Sequence, residues 1–249
     1  MAQFVLVHGA WHGAWCWQRV ISALQLLGHE AVSLDLPGHG DDRTPVAQVS
    51  LMLYAQRICE CMKQRPEPVV LVGHSMGGIA ISQAAELCPE RVAVLVYLAA
   101  YLVPNGQSLN QYAKSDSESA LPPHLRLVKD EGIMLVDDSG LKDIIYGGLN
   151  DDDWRFVKSQ IRPEPIAPHF SALELSESRF GAIPRACIRC LRDQVIGAGL
   201  YTRMLNDLSC QYTVTMDSTH APLLSAAVET ATNLDRLGKM PSKKLQTWT

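Results

Sequence analysis

Residues 69–80 form an apolar run that passes through a Gly-x-Ser-x-Gly pentad, Gly73-His74-Ser75-Met76-Gly77, directly into a helical pattern. A strand that turns at once into a helix leaves little room at its corner. The serine backbone must take a strained conformation, and the residues two before and two after it must be small so that strand and helix approach closely. Gly73 and Gly77 meet that demand. The turn lifts the Ser75 hydroxyl out of the sheet edge. The motif therefore constrains architecture and chemistry together: a helix packed back on a sheet, and a nucleophile at the edge where ligands bind.

Around this elbow the segments 4–7, 31–35, 68–73, 93–100, 186–191 and 211–216 are short and rich in Val, Leu or Ile, as strands covered on both faces tend to be. Helical patterns alternate with them at 14–27, 50–64, 76–87, 200–208 and 222–237. Gly28, Pro89, Pro222 and Gly238 punctuate these helices. Such alternation predicts a parallel sheet with right-handed crossovers and helices on both faces. The rhythm breaks between about 103 and 184. There, segments 125–129 and 133–136 flank Asp130-Glu131-Gly132 as a hairpin, and Asn150 caps a helix through about 161. An insertion at the ligand-binding edge of a sheet predicts a cap over a pocket. The expected organisation is a core of residues 1–102 and 185–240, a cap of residues 103–184, and a frayed tail of residues 241–249.

A serine hydroxyl is a weak nucleophile until a base removes its proton, and that base needs a third group to fix its tautomer. In chains with such an elbow the order is Ser, then an acid, then His. His220 follows the last expected strand and precedes the last helix, whereas His124 and His169 fall in the cap. His220 is the expected base. Asp193 ends the strand at 186–191 and is the expected acid; Asp217, three residues before His220, is the rival. The helix start offers the Met76 amide to an oxyanion beside Ser75. His8-Gly9-Ala10-Trp11 follows the first strand, and the Ala10 amide is the matching second donor, with the His8 ring structural. Trp11, Met76, Trp154 and Phe156 are expected to line an apolar pocket, although Trp154 can equally pack inside the cap.

Composition closes off other classes. The chain has 249 residues, 47% of them hydrophobic, and a net charge of −4, which suits one large core and repels a phosphate backbone. Nucleic acid is not an expected partner, and no segment suits a membrane span. The N-terminal apolar run is too short for a signal peptide, and the seven cysteines are scattered through expected core elements. Both points predict reduced thiols and a cytoplasmic protein. Cys187 and Cys190 have redox or zinc spacing, but in a strand residues three apart face opposite ways, so packing is expected. Cys59 and Cys61 do not face one another on a helix and read as filler. Two copies of His-Gly-Ala-Trp, at 8–11 and 12–15, are too short to define a repeat.

Residues 4–17, with Gly28-His29, Ser33-Leu34-Asp35-Leu36 and residues 72–78, resemble the plant methyl esterase and hydroxynitrile lyase branch of the α/β hydrolases. They are also similar to related bacterial carboxylesterases, including those that hydrolyse pyrethroids. The resemblance implies the α/β-hydrolase fold, with a mostly parallel central sheet, helices on both faces and an inserted cap of three strands plus helices. It further implies a Ser-His-Asp triad that needs no metal or organic cofactor, and apolar esters as substrates. Lyases of the branch carry a threonine after the first His, a lysine after the catalytic His and an acidic residue before the serine; here those places hold Gly9, Ala221 and His74. The turn Pro37-Gly38-His39-Gly40 departs from the plant pattern and leans towards bacterial hydrolases. The expected function is a serine carboxylesterase acting on small-molecule esters, as a monomer or homodimer. A hydroxynitrile lyase and a non-catalytic small-ligand receptor are the alternatives.

Overall fold

The computed structural model describes residues 1–239, so the tail expected at 241–249 lies outside the described residues. A six-stranded sheet forms the centre: β1 (Gln3–Val7), β2 (Glu30–Leu34), β3 (Val69–His74), β4 (Val92–Leu98), β8 (Arg185–Cys190) and β9 (Tyr212–Met216), in the order β2-β1-β3-β4-β8-β9. All neighbouring pairs are parallel. Burial follows position: β3 is buried at every residue, while the edge strand β9 alternates between half-buried and exposed residues before its buried end. Continuous apolar runs and alternating ones thus mark centre and edge.

The crossovers are α1 (Gln18–Leu26), α2 (Leu51–Lys63), α3 (Gly77–Leu87) and α7 (Ala198–Asp207). Ser50 caps α2 by accepting the Leu53 amide at 3.1 Å, which satisfies one of the orphan donors of the first turn. The helix expected at 222–237 is instead two pieces, α8 (Pro222–Ser225) and α9 (Ala227–Gly238), because Ala226 leaves helical geometry at φ −140°, ψ 45°. Pro222, Leu223 and Leu224 are buried in the first piece, and Ala231, Leu234 and Leu237 in the second.

Between β4 and β8 lie α4 (Leu109–Lys114), β5 (Leu125–Val128), β6 (Ile133–Val136), α5 (Asp151–Gln160), β7 (Glu164–Pro165) and α6 (Ala167–Phe170). The expected hairpin is present as the antiparallel pair β5–β6, and its turn closes on Gly132 at φ 68°. The two-residue β7 completes a three-stranded sheet, pairing Met134 with Glu164. Asn150 caps α5 by accepting the Asp153 amide, with Asp151, Asp152 and Asp153 in the first turn, where the helix dipole favours negative charge.

Cys59 of α2 and Cys88 at the end of α3 form a disulfide, so the cysteines are not all reduced thiols. Two helices adjacent in space but 29 residues apart bring them together, a pairing that local spacing does not reveal. The bond also removes the thiol argument for a reducing compartment. Cys187 and Cys190 are free and buried, as packing residues are. Among the described residues no helix is long and apolar enough to cross a membrane.

Candidate active site

The strand order reverses between β1 and β3, whose chains leave the sheet towards opposite edges, and the crevice at such a switch point is where open α/β sheets bind ligands. Ser75 follows β3 at this point, and Gly9-Ala10-Trp11 follows β1. Ser75 has φ 53°, the left-handed backbone that an elbow requires. Its strain is held in place: the Ser75 amide donates to the Ala99 carbonyl at 3.1 Å, and its carbonyl accepts from Gly78 and Tyr101. A Cβ on Gly77 would lie 2.7 Å from the His8 carbonyl oxygen, and one on Gly9 would lie 2.8 Å from the Ser75 Cβ, so no side chain fits at either.

Ser75 Oγ lies 2.9 Å from His220 Nε2, and His220 Nδ1 lies 2.9 and 3.0 Å from the two Asp193 oxygens. The carboxylate can only accept, so Nδ1 carries the proton and Nε2 is left to accept the serine hydroxyl. Asp193 Oδ1 also accepts the Val195 and Ile196 amides, which fixes the carboxylate, and both the Asp193 and His220 side chains are buried. Asp217 is elsewhere: it is exposed and paired with Arg192. His74 donates from Nε2 to the His220 carbonyl at 2.9 Å, and burial keeps its pKa well below the usual histidine range.

Ala10 and Met76 flank Ser75 in a cavity of about 540 Å³. Among the described residues neither amide has a hydrogen-bond acceptor. Trp11 lines this cavity, together with Leu109, Leu121, Leu125 and Met134 from the inserted segment. Trp154 and Phe156 do not, which corrects their expected place. Arg19 of α1 pairs with Asp153 of α5, Phe156 stacks edge-on against Trp15 at 5.6 Å, and Trp154 packs near Tyr146.

Buried groups to which the sequence assigns no role are linked to the Ala10 turn. His12, whose pKa burial lowers to about 4, is neutral; Nδ1 donates to the Ala10 carbonyl, and Nε2 accepts the Tyr146 hydroxyl at 2.6 Å. Glu164 is wholly buried and accepts the Trp11 amide at 2.7 Å, His39 Nε2 at 2.7 Å and His169 Nε2 at 2.9 Å. Burial opposes its charge, but the two imidazoles outweigh burial and hold its pKa well below the usual carboxylate range. His39 donates from both ring nitrogens, and although burial opposes its charge too, the Glu164 carboxylate raises its pKa. His169 lines the cavity. No spacing signal links Glu164 to residues 125 and 153 positions earlier, so only the fold shows the cluster.

The sequence matches the alpha/beta hydrolase family over residues 4–233. It is 31% identical to a protein of Arabidopsis thaliana named as a chloroplastic methylesterase 11, over 234 residues that cover 89% of this chain. The chain spans 60% of that relative's length. Methylesterase 2 of the same plant is 30% identical over 236 residues, covering 88% of this chain and 89% of the relative. In fold, the chain is similar to a pyrethroid hydrolase from Sphingobium faniae JZ-2, with a TM-score of 0.85 and 22% identity over 97% of this chain and 98% of the other. The match along residues 4–233 and a relative aligned along nearly nine tenths of both chains place this chain in the alpha/beta hydrolase family, as an esterase-like hydrolase akin to the plant methylesterases.

Proposed function

We propose that the protein is a serine carboxylesterase that hydrolyses apolar carboxylic esters through an acyl-enzyme, with Ser75 as nucleophile, His220 as general base and Asp193 as the acid that orients it. The observation that carries this reading is the continuous hydrogen-bonded line from Ser75 through His220 to Asp193, opening on a largely apolar cavity. Ser75 Oγ bonds to the ester carbonyl carbon as its proton passes to His220 Nε2. The carbonyl oxygen becomes an oxyanion that accepts from the Ala10 and Met76 amides, each donor worth about 3 to 4 kcal/mol in the transition state. Collapse expels the alcohol with the proton from His220. Water, deprotonated by the same imidazole, then releases the carboxylic acid and restores Ser75. We read residues 103–184 as a cap, because the cavity takes lining from this segment and from the sheet edge alike.

Substrate choice follows from the lining. Leu109, Leu121, Leu125 and Met134 reward apolar acyl or alcohol groups, and pyrethroid-type esters are one member of that class. The test is a series of p-nitrophenyl esters of increasing acyl length, run beside a pyrethroid-type ester. We expect kcat/KM to rise about fourfold per methylene until the cavity is filled, from about 0.8 kcal/mol per buried methylene. Failure to turn over any member would overturn the esterase reading. A rate that falls from the first added methylene onwards would overturn the assignment to apolar esters.

A further inference from the structure

The Ala10 turn is pinned by the segment that lies over it. Trp11 takes φ 63°, a left-handed conformation that a tryptophan adopts only when its surroundings hold it there. Its amide donates to Glu164 Oε2 at 2.7 Å, its indole Nε1 donates to the Met134 carbonyl at 3.0 Å, and its carbonyl accepts the Arg162 amide at 3.1 Å. All three partners come from the inserted segment. The Glu164 bond is the charged one, and hydrogen bonds to an ionised acceptor are about twice as strong as neutral ones. A fully buried carboxylate is costly unless paired, and Glu164 is paired twice over, by His39 and His169.

We propose that Glu164 is a positioning residue for the reaction: by accepting the Trp11 amide it holds the peptide after Ala10 in the turn that leaves the Ala10 amide free beside Ser75. This inference rests on the serine esterase reading given above. Glu164 touches neither Ser75 nor the triad, so it acts through backbone placement alone. The other side of the same turn is held by His12, which donates to the Ala10 carbonyl, so the peptide is clamped from both faces. Pinning by Glu164 also ties the oxyanion site to the inserted segment, since β7 carries the carboxylate.

The test uses Glu164→Gln and Glu164→Leu in the full-length protein, with rates normalised to active sites titrated by a p-nitrophenyl ester burst. The Gln amide can still accept from Trp11, but its NH2 then meets an imidazole N–H; Leu accepts nothing. We expect kcat to fall about tenfold for Gln and about a hundredfold for Leu, with KM within about threefold of wild type. Affinity for an aryl trifluoromethyl ketone, whose adduct on Ser75 places an oxyanion between the two amides, should fall by the same factors as kcat/KM. A purely structural role would lower thermal stability and the titrated fraction, leaving kcat per site and ketone affinity unchanged; that result overturns the inference. If Glu164→Leu does not fold, Glu164→Gln alone decides by the same two readouts. A wild type that neither turns over esters nor binds the ketone fails the esterase reading itself, an outcome distinct from a wild type that does both while the variants match it.

Discussion

Ser75→Ala is expected to abolish ester turnover, lowering kcat about a million-fold, or about 8 kcal/mol in the barrier, while leaving fold and ligand affinity intact. The hydroxyl removed is small, and its one side-chain hydrogen bond is to His220, so the loss is chemical and not structural. The elbow persists because the bonds that hold it are made by the backbone, from the Ser75 amide to Ala99 and from Gly78 and Tyr101 to the Ser75 carbonyl. The residual rate should be the small acceleration that two oxyanion donors and binding alone provide. Steady-state kinetics on p-nitrophenyl butyrate, beside thermal denaturation and the affinity of a non-hydrolysable amide analogue, separates the two outcomes. Turnover within tenfold of wild type would remove Ser75 from the reaction.

Asp193→Asn is the second large effect, expected at about ten thousand-fold in kcat. The local geometry dictates why. Asp193 Oδ1 accepts two backbone amides, from Val195 and Ile196, so the oxygen of an asparagine amide stays there and its NH2 takes the place of Oδ2, the nearer oxygen to His220 Nδ1 at 2.9 Å. Nδ1 would then have to accept, the proton would move to Nε2, and the imidazole could no longer take a proton from Ser75. The control is Asp217→Asn. Asp217 is 76% exposed and pairs with Arg192, so its loss should change kcat less than twofold. Parallel kinetics on both variants check the assignment. A larger loss from Asp217→Asn than from Asp193→Asn would reverse it.

What could be read from the chain was what neighbouring residues encode. Gly73-His74-Ser75-Met76-Gly77 carries its own steric demand, and the apolar runs either side announced β3 and α3 to within a residue. Chain order alone then led to Asp193 and His220, because each follows a recognisable strand. The hairpin at Asp130-Glu131-Gly132 is legible for the same local reason, two short apolar segments flanking a turn, and Gly132 there takes φ 68°. Contacts between distant segments were not legible. The Cys59–Cys88 disulfide depends on how α2 lies against α3. Glu164 meets Trp11 and His39 only once β7 folds over the β1 turn. Trp154 and Phe156 look like pocket aromatics by type, yet their ring partners, Tyr146 and Trp15, are set by the fold, Trp15 being distant in sequence. The broken helix at Ala226, at φ −140° and ψ 45°, likewise has no glycine or proline at the break to announce it.

Covalent chemistry at Ser75 is read most directly by mass spectrometry of the protein after reaction with diethyl p-nitrophenyl phosphate. That reagent loses p-nitrophenolate to an activated serine and leaves a stable diethylphosphoryl ester. One adduct per chain is expected, mapped by peptide sequencing to Ser75 and absent from Ser75→Ala. No adduct, or one carried by another residue while Ser75 stays unmodified, would contradict Ser75 as the nucleophile.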